Sequence, residues 1–303
     1  MALVVALSVG GFVGWIIYGA THPPQHPYLV TPEKFEQLSH RGLKATTEVW
    51  SNRDGTQARG WLLRGSAGAP GVVLLHRYGA DRSWLLNLGV KLHETANFTV
   101  LWPDLRGHGE APSVNFSSLG IDESADTLAA LDYLRSLKTP QGTPQVGGQL
   151  GLYGVEMGAY AALGAAQGEG VGALALDSVP ASPDELLRFN VRADTGFDNA
   201  LLQLLARLGV RLYFIGSYQN TSSCTLASGL AKPRVLLLAG ADAAHLRDST
   251  DALARCFPDQ SLVELHDDLP LTGFTLASAP GEQGEAYDRR VIEFFDRTLR
   301  APH

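Results

Sequence analysis

The chain has 303 residues, 45% of them hydrophobic and 18% charged, with a formal net charge of -7. That balance suits a folded chain with a sizeable core and excludes a disordered one. With no basic stripe and no aromatic-interleaved run of Lys and Arg, it also excludes nucleic acid as an expected partner.

Residues 2–20 (ALVVALSVGGFVGWIIYGA) carry no charge. Roughly 20 apolar residues span a bilayer as a helix, and Trp15 and Tyr18 stand near the end of the run, where interfacial aromatics are found. No charged segment precedes the run and it is long for a signal peptide, so an uncleaved transmembrane anchor over 1–20 is expected, with a cleaved signal peptide the competing reading. The charges that could orient it, Lys34, Arg41 and Lys44, follow only at a distance. The Pro-rich stretch THPPQHPYLVTP is expected to be extended and opens a Pro-rich linker and lead-in over 21–44.

From residue 45 to 303 the pattern is that of one α/β domain. Two alternating runs flank Asn52-Arg53-Asp54-Gly55, a hairpin signal. GVVLLH is a short continuous apolar run of the kind buried in a parallel sheet. The helix RSWLLNLGVKLHETA, the strand FTVLWPD, the helix ESADTLAALDYLRSL, the strand QLGLYG, the helix EMGAYAALGAA and the strand VGALALD follow. After residues 178–232, which hold two helical patterns and read as a small cap insertion, come the strand PRVLLLAG, the helix DSTDALARCF, the strand SLVELH and the closing helix EAYDRRVIEFFDRTL. Strands alternating with helices imply a mostly parallel sheet with helices on both faces. The two cysteines, Cys224 and Cys256, can pair if this domain meets an oxidising compartment or stand as two separate buried thiols; the sequence leaves both open.

Ligands of open α/β sheets gather outside the carboxyl ends of the strands. Those ends hold His76-Arg77-Tyr78-Gly79, Asp104 to Gly109, Gly154 to Gly158, Asp177, Gly240-Ala241-Asp242, and His266 with the loop to Gly273. The cleft they line is the expected place for a small-molecule or peptide ligand. No H-x-E or C-x-x-C pattern occurs among them, so no metal and no cofactor is expected.

The order of these motifs resembles the α/β-hydrolase fold from about residue 45 to 299. HRYGAD is similar to an oxyanion loop, DLRGHGE to the segment after the fourth strand, GVEMG to the nucleophile elbow G-x-S-x-G, LLLAGAD to the strand delivering the triad acid, and EAYDRRVIEFF to the C-terminal helix. The anchor, the Pro-rich linker and the hairpin resemble membrane-anchored bacterial members related to serine peptidases and esterases, which implies an extracytoplasmic domain.

The resemblance implies a site with three departures from the machinery of acyl transfer. The nucleophile position holds Glu156; Ser178, the nearest strand-end serine, lacks the elbow glycines. The acid position is Asp242. The base position falls on Leu271 or Thr272, neither of which accepts a proton at neutral pH, leaving His266 and His245 as candidates to move in. The oxyanion loop carries Arg77 where glycine belongs, its donors expected from the backbone near Arg77 or Tyr78 and from Met157. His76, Asp104, Arg106 and His108 are implied to hold loops. Glu156 and Arg77 are expected to form a salt bridge that plugs the site. The leading expectation is a catalytically degenerate hydrolase-like protein with a binding or scaffold role; the alternative is an active esterase- or peptidase-like hydrolase using Glu156 with Asp242 and His266.

Overall fold

The computed structural model describes residues 2–39, 42, 44–275 and 281–300. Its centre is one eight-stranded sheet, β1 (Thr46–Ser51), β2 (Gln57–Leu63), β3 (Ala69–Leu75), β4 (Thr99–Pro103), β5 (Val146–Val155), β6 (Val171–Asp177), β7 (Arg234–Gly240) and β8 (Val263–Leu269), in the order β1-β2-β4-β3-β5-β6-β7-β8. β2 is antiparallel to both β1 and β4, and every other pairing is parallel. The parallel strands β3, β4 and β6 are buried almost end to end, as their unbroken apolar runs require. The β1–β2 hairpin turns as expected at Gly55, whose φ of 84° only glycine adopts freely.

Helices cover both faces. On one side α3 (Leu86–Ala96) and α10 (Glu282–Leu299) pack over β strands through Leu86, Leu92, Val291 and Phe295. On the other, α4 (Ile121–Ser136) and α5 (Met157–Ala165) share a core with the insertion helices α6 (Pro183–Thr195), α7 (Ala200–Tyr213) and α8 (Ser223–Ser228). α9 (Ala244–Ala254) joins β7 to β8. The short α8 was not anticipated; Ser222 caps it by accepting from the Thr225 N–H, 3.0 Å. It carries Cys224, which is disulfide-bonded to Cys256 with Cα atoms 5.2 Å apart, so the cysteines pair.

The N-terminal segment departs from expectation in two ways. The described residues of 21–44 include a helix that was not expected. Thr31-Pro32-Glu33 starts the helix α2 (Pro32–Ser39), with the Lys34 N–H on Thr31 Oγ1 at 3.3 Å and proline at its first position. Tyr28, Val30 and Phe35 pack against the α3–α10 core. Residues 2–21 do form a helix, α1 (Ala2–Thr21), but among the described residues no helix is long and apolar enough to cross a membrane. The anchor expected over 1–20 falls partly on residues whose side chains lie outside the described ones, and the end of α1 is committed to the protein. Ile16, Ala20 and Thr21 are buried. The helix crosses α7 at Gly209, where any Cβ would collide with Ile17. Its last carbonyls are satisfied by the domain: Gly19 O accepts from Tyr78 Oη (3.2 Å), Ala20 O from Asn190 Nδ2 (3.3 Å) and Thr21 O from the Ser117 N–H (2.7 Å).

Candidate active site

The turn from β5 to α5 is built as an elbow. Glu156 sits at its apex with φ 51° and ψ -109°, a strained conformation for a residue with a Cβ. Its backbone is pinned on both sides, the Glu156 N–H donating to Asp177 O (2.9 Å) and Glu156 O accepting from Tyr160 N (3.0 Å). The two flanking glycines make the turn fit. A Cβ on Gly158 would come 2.5 Å from Leu75 O and 2.6 Å from His76 O, and one on Gly154 would run into the Gly158 carbonyl.

The Glu156 side chain, 6% exposed, turns toward the loop after β3. Its Oε2 accepts from the Tyr78 N–H at 2.9 Å. Burial raises its pKa from 4.5 to about 6 against the opposing pull of the Arg77 guanidinium and of the Tyr78 and Met157 N–H groups. The expected salt bridge is absent: among the described residues no ion pair joins Glu156 to Arg77. Arg77 acts on the carboxylate through space. Its guanidinium lies between two rings, 4.6 Å from Trp84 and 5.0 Å from Phe274, and Nη1 donates to Tyr78 O at 3.0 Å. Cation–π contact on two faces competes successfully with the buried carboxylate for the side chain.

Asp242 follows β7 and is answered by the loop after β8. Thr272 N–H donates to Oδ2 (3.0 Å), Thr272 Oγ1 to both carboxylate oxygens (3.1 Å each), and Thr275 Oγ1 adds a further bond. Thr272, fully buried, thus stands on Asp242 as an imidazole would. His266 does not. It lies within β8, paired in register with Leu238, and burial together with Arg290 lowers its pKa; no hydrogen bond or ion pair joins it to Glu156 or Asp242 among the described residues. His245, at the start of α9, packs its ring between Phe189 of α6 (4.4 Å) and Phe274 (5.5 Å). Ser178 is buried and donates to Asp177 Oδ1 at 2.7 Å, its hydroxyl 3.5 Å from Thr272 Oγ1.

The remaining histidines tie loops. His76 Nδ1 donates to Arg77 O (2.8 Å), and Nε2 accepts from the Leu105 N–H (3.0 Å). Burial pushes its pKa down to about 4, so it stays neutral in this tautomer. His108 repeats the device, Nδ1 donating to Arg106 O (2.8 Å) and Nε2 accepting from the Gly79 N–H (3.1 Å). Asp104 accepts from Tyr28 Oη (2.7 Å) and from the Arg82 N–H (3.0 Å). Arg106 forks onto Asp126 at 2.6 and 2.7 Å and reaches Asp54 at 3.0 Å.

One buried group was present in the sequence as a strand end but had no role there. Asp177 accepts from the Gly273 N–H (2.6 Å), from Ser178 and from Tyr287 Oη, whose hydroxyl also meets Tyr153 Oη at 2.7 Å. Burial lifts its pKa from 3.8 to about 6. This knot fixes the loop that carries Thr272. An apolar strand ending in an acid is its only local signal; Tyr287 and Tyr153 come from other elements.

No protein-family model matches the chain, and neither does any curated protein. Solved structures do. An esterase from Pyrococcus furiosus superposes with TM-score 0.64 at 19% identity over 92% of this chain and 99% of its own. A dienelactone hydrolase from Anabaena variabilis gives 0.56 at 17% over 85% and 100%. An acylaminoacyl peptidase from Pyrococcus horikoshii gives 0.62 at 15% over 89% of this chain and 44% of that longer one. The fold is that of the α/β-hydrolases. Glu156 stands at the turn between β5 and α5 with the Tyr78 N–H on its carboxylate, and Asp242 stands after β7 against Thr272. Chemically the arrangement offers one buried carboxylate that accepts from a backbone N–H and a second carboxylate bonded to a threonine hydroxyl.

Proposed function

We propose that this hydrolase-fold chain binds its ligand at the strand-end cleft without hydrolysing it, as a membrane-associated protein with its domain on the extracytoplasmic side. The observation that carries the proposal is the bond from the Tyr78 N–H to Glu156 Oε2 at 2.9 Å. A tetrahedral intermediate needs that donor free, and here the residue in the nucleophile position holds it. Thr272 on Asp242 supports the same reading, since a threonine hydroxyl, unlike an imidazole, is not a base at neutral pH. The apolar helix α1 supports membrane association, and the Cys224–Cys256 disulfide supports an oxidising compartment. The ligand class is a small molecule or a peptide, taken beneath α1 and the cap.

The competing reading, an active hydrolase, has one observation in its favour: a carboxyl group with a pKa of about 6 is well placed to act as a base near neutral pH. Short-chain p-nitrophenyl esters and an aminoacyl p-nitroanilide, offered to the full chain and to Glu156→Gln, separate the two. The expected result is no turnover above the uncatalysed rate with either protein. Turnover by the native chain that disappears in Glu156→Gln overturns the proposal in favour of catalysis by Glu156.

A further inference from the structure

One face of α7 is apolar and has no partner among the described residues. Leu201, Leu204, Leu208, Leu212 and, just past its end, Ile215 recur at three- and four-residue steps and so share one side of the helix. Each is about half exposed or more, Ile215 as much as 77%. The opposite side, with Leu202, Ala206, Val210 and Phe214, is buried in the cap. Phe197, in the turn before α7, is likewise two-thirds exposed. A contiguous row of this kind marks an interaction surface.

What stands next to the row identifies its partner. Arg207 and Arg211 are exposed on α7, a helix with no Asp or Glu of its own, and Arg211 also lies 3.5 Å from Asp184 of α6. α1 runs alongside, with Ile17 and Val13 against Gly209 and the His22 ring 6.3 Å from that of Tyr213. The side of α1 turned away from the cap exposes Phe12, Trp15 and Tyr18. Two apolar surfaces therefore adjoin at one helix crossing, with aromatic rings and guanidinium groups at their borders. That is the composition of a helix lying in a membrane interface. A second copy pairing α7 with α7 across a two-fold axis would bring the arginines together, Arg211 met by Asp184 but Arg207 with no acid on that helix to answer it.

We infer that the exposed face of α7 rests on a lipid bilayer, its leucine row at the acyl boundary and Arg207 and Arg211 at anionic headgroups. The cap would then lie on the membrane beside α1, and the cleft beneath it would open close to the lipid surface. This rests on the proposed membrane association of the chain through α1.

The test uses the full chain with a cysteine placed at Leu208 and, as a control, at Ala286 on α10, each labelled with an environment-sensitive NBD dye; the native cysteines are held in their disulfide. Flotation with phosphatidylcholine vesicles, with and without phosphatidylglycerol, reads association as a whole. Quenching by brominated lipid reads contact at the labelled site. The expected result is flotation, strengthened by phosphatidylglycerol, with emission from the label at position 208 raised by vesicles and largely lost on brominated lipid, and emission at position 286 unchanged. Flotation with the label at position 208 still in water overturns the inference and leaves α1 association standing. Absence of flotation overturns both. Emission at position 208 that rises with protein concentration and without vesicles assigns the face to a second copy and also overturns it.

Discussion

Replacing Glu156 by Gln measures what the elbow carboxylate costs the fold. The native group titrates at about 6 against 4.5 for an unperturbed glutamate, so the folded state binds its proton more tightly than the unfolded state does. The contribution is therefore favourable below about pH 4.5 and is lost as pH rises through 6; above that, keeping the carboxylate charged costs about 2 kcal/mol. Glutamine has nearly the same shape, keeps an oxygen for the Tyr78 N–H and removes the charge. Asp177, which titrates in the same window, is present in both proteins and cancels in the difference. Urea unfolding should show Glu156→Gln more stable than the native chain by about 2 kcal/mol near pH 8 and equal to it near pH 4. A variant less stable near pH 8 would refute the reasoning, because it would mean that Arg77 and the two N–H groups outweigh desolvation and that the site is a net charge pair.

Three further outcomes follow from the packing and the cross-links. Gly158→Ala puts a Cβ against the Leu75 carbonyl and should destabilise the chain by about 2 to 3 kcal/mol in thermal or urea melts; a negligible loss would show the elbow to be loose. Removing the disulfide by Cys224→Ser with Cys256→Ser opens a loop of 32 residues and should cost about 3 to 4 kcal/mol by the loop-entropy argument, read as a lower melting temperature that reductant reproduces in the native chain. Arg106→Ala strands the buried Asp126 and should cost about 3 to 5 kcal/mol, with Asp126→Asn in the same background restoring part of the loss.

What the sequence made legible was local or strongly periodic. The elbow could be read at Gly154 and Gly158 because strand, turn and helix are contiguous there, and the acid position because Asp242 directly follows an apolar strand. The side-chain direction of Arg77 was not legible. Its choice between Glu156 and the aromatic faces is decided by Trp84 and Phe274, which the fold brings in from either side. The role of α1 was hidden for a related reason. A uniformly apolar run has no periodicity to show which side meets protein, and the contact is written instead in Gly209 of a distant helix. The short helix α2 was masked by a proline-rich lead-in whose final proline starts the helix instead of preventing it.

The two carboxylates at these strand ends, Glu156 and Asp242, are understood through the polar groups that satisfy them. The half-buried carboxylate of Asp242 has acceptor sites facing the loop after β8. Thr272 fills them with its N–H and hydroxyl, and Thr275 adds another hydroxyl. The Tyr78 N–H has its acceptor in Glu156, from the elbow itself. Each arrangement is complete without a ligand. On the proposed function, a ligand entering this cleft gains no bond from the Tyr78 N–H unless Glu156 moves, and its binding energy has to come from the surroundings: Arg77, Phe274, His245, whose ring meets that of Phe274 edge to face, and the residues of the cap.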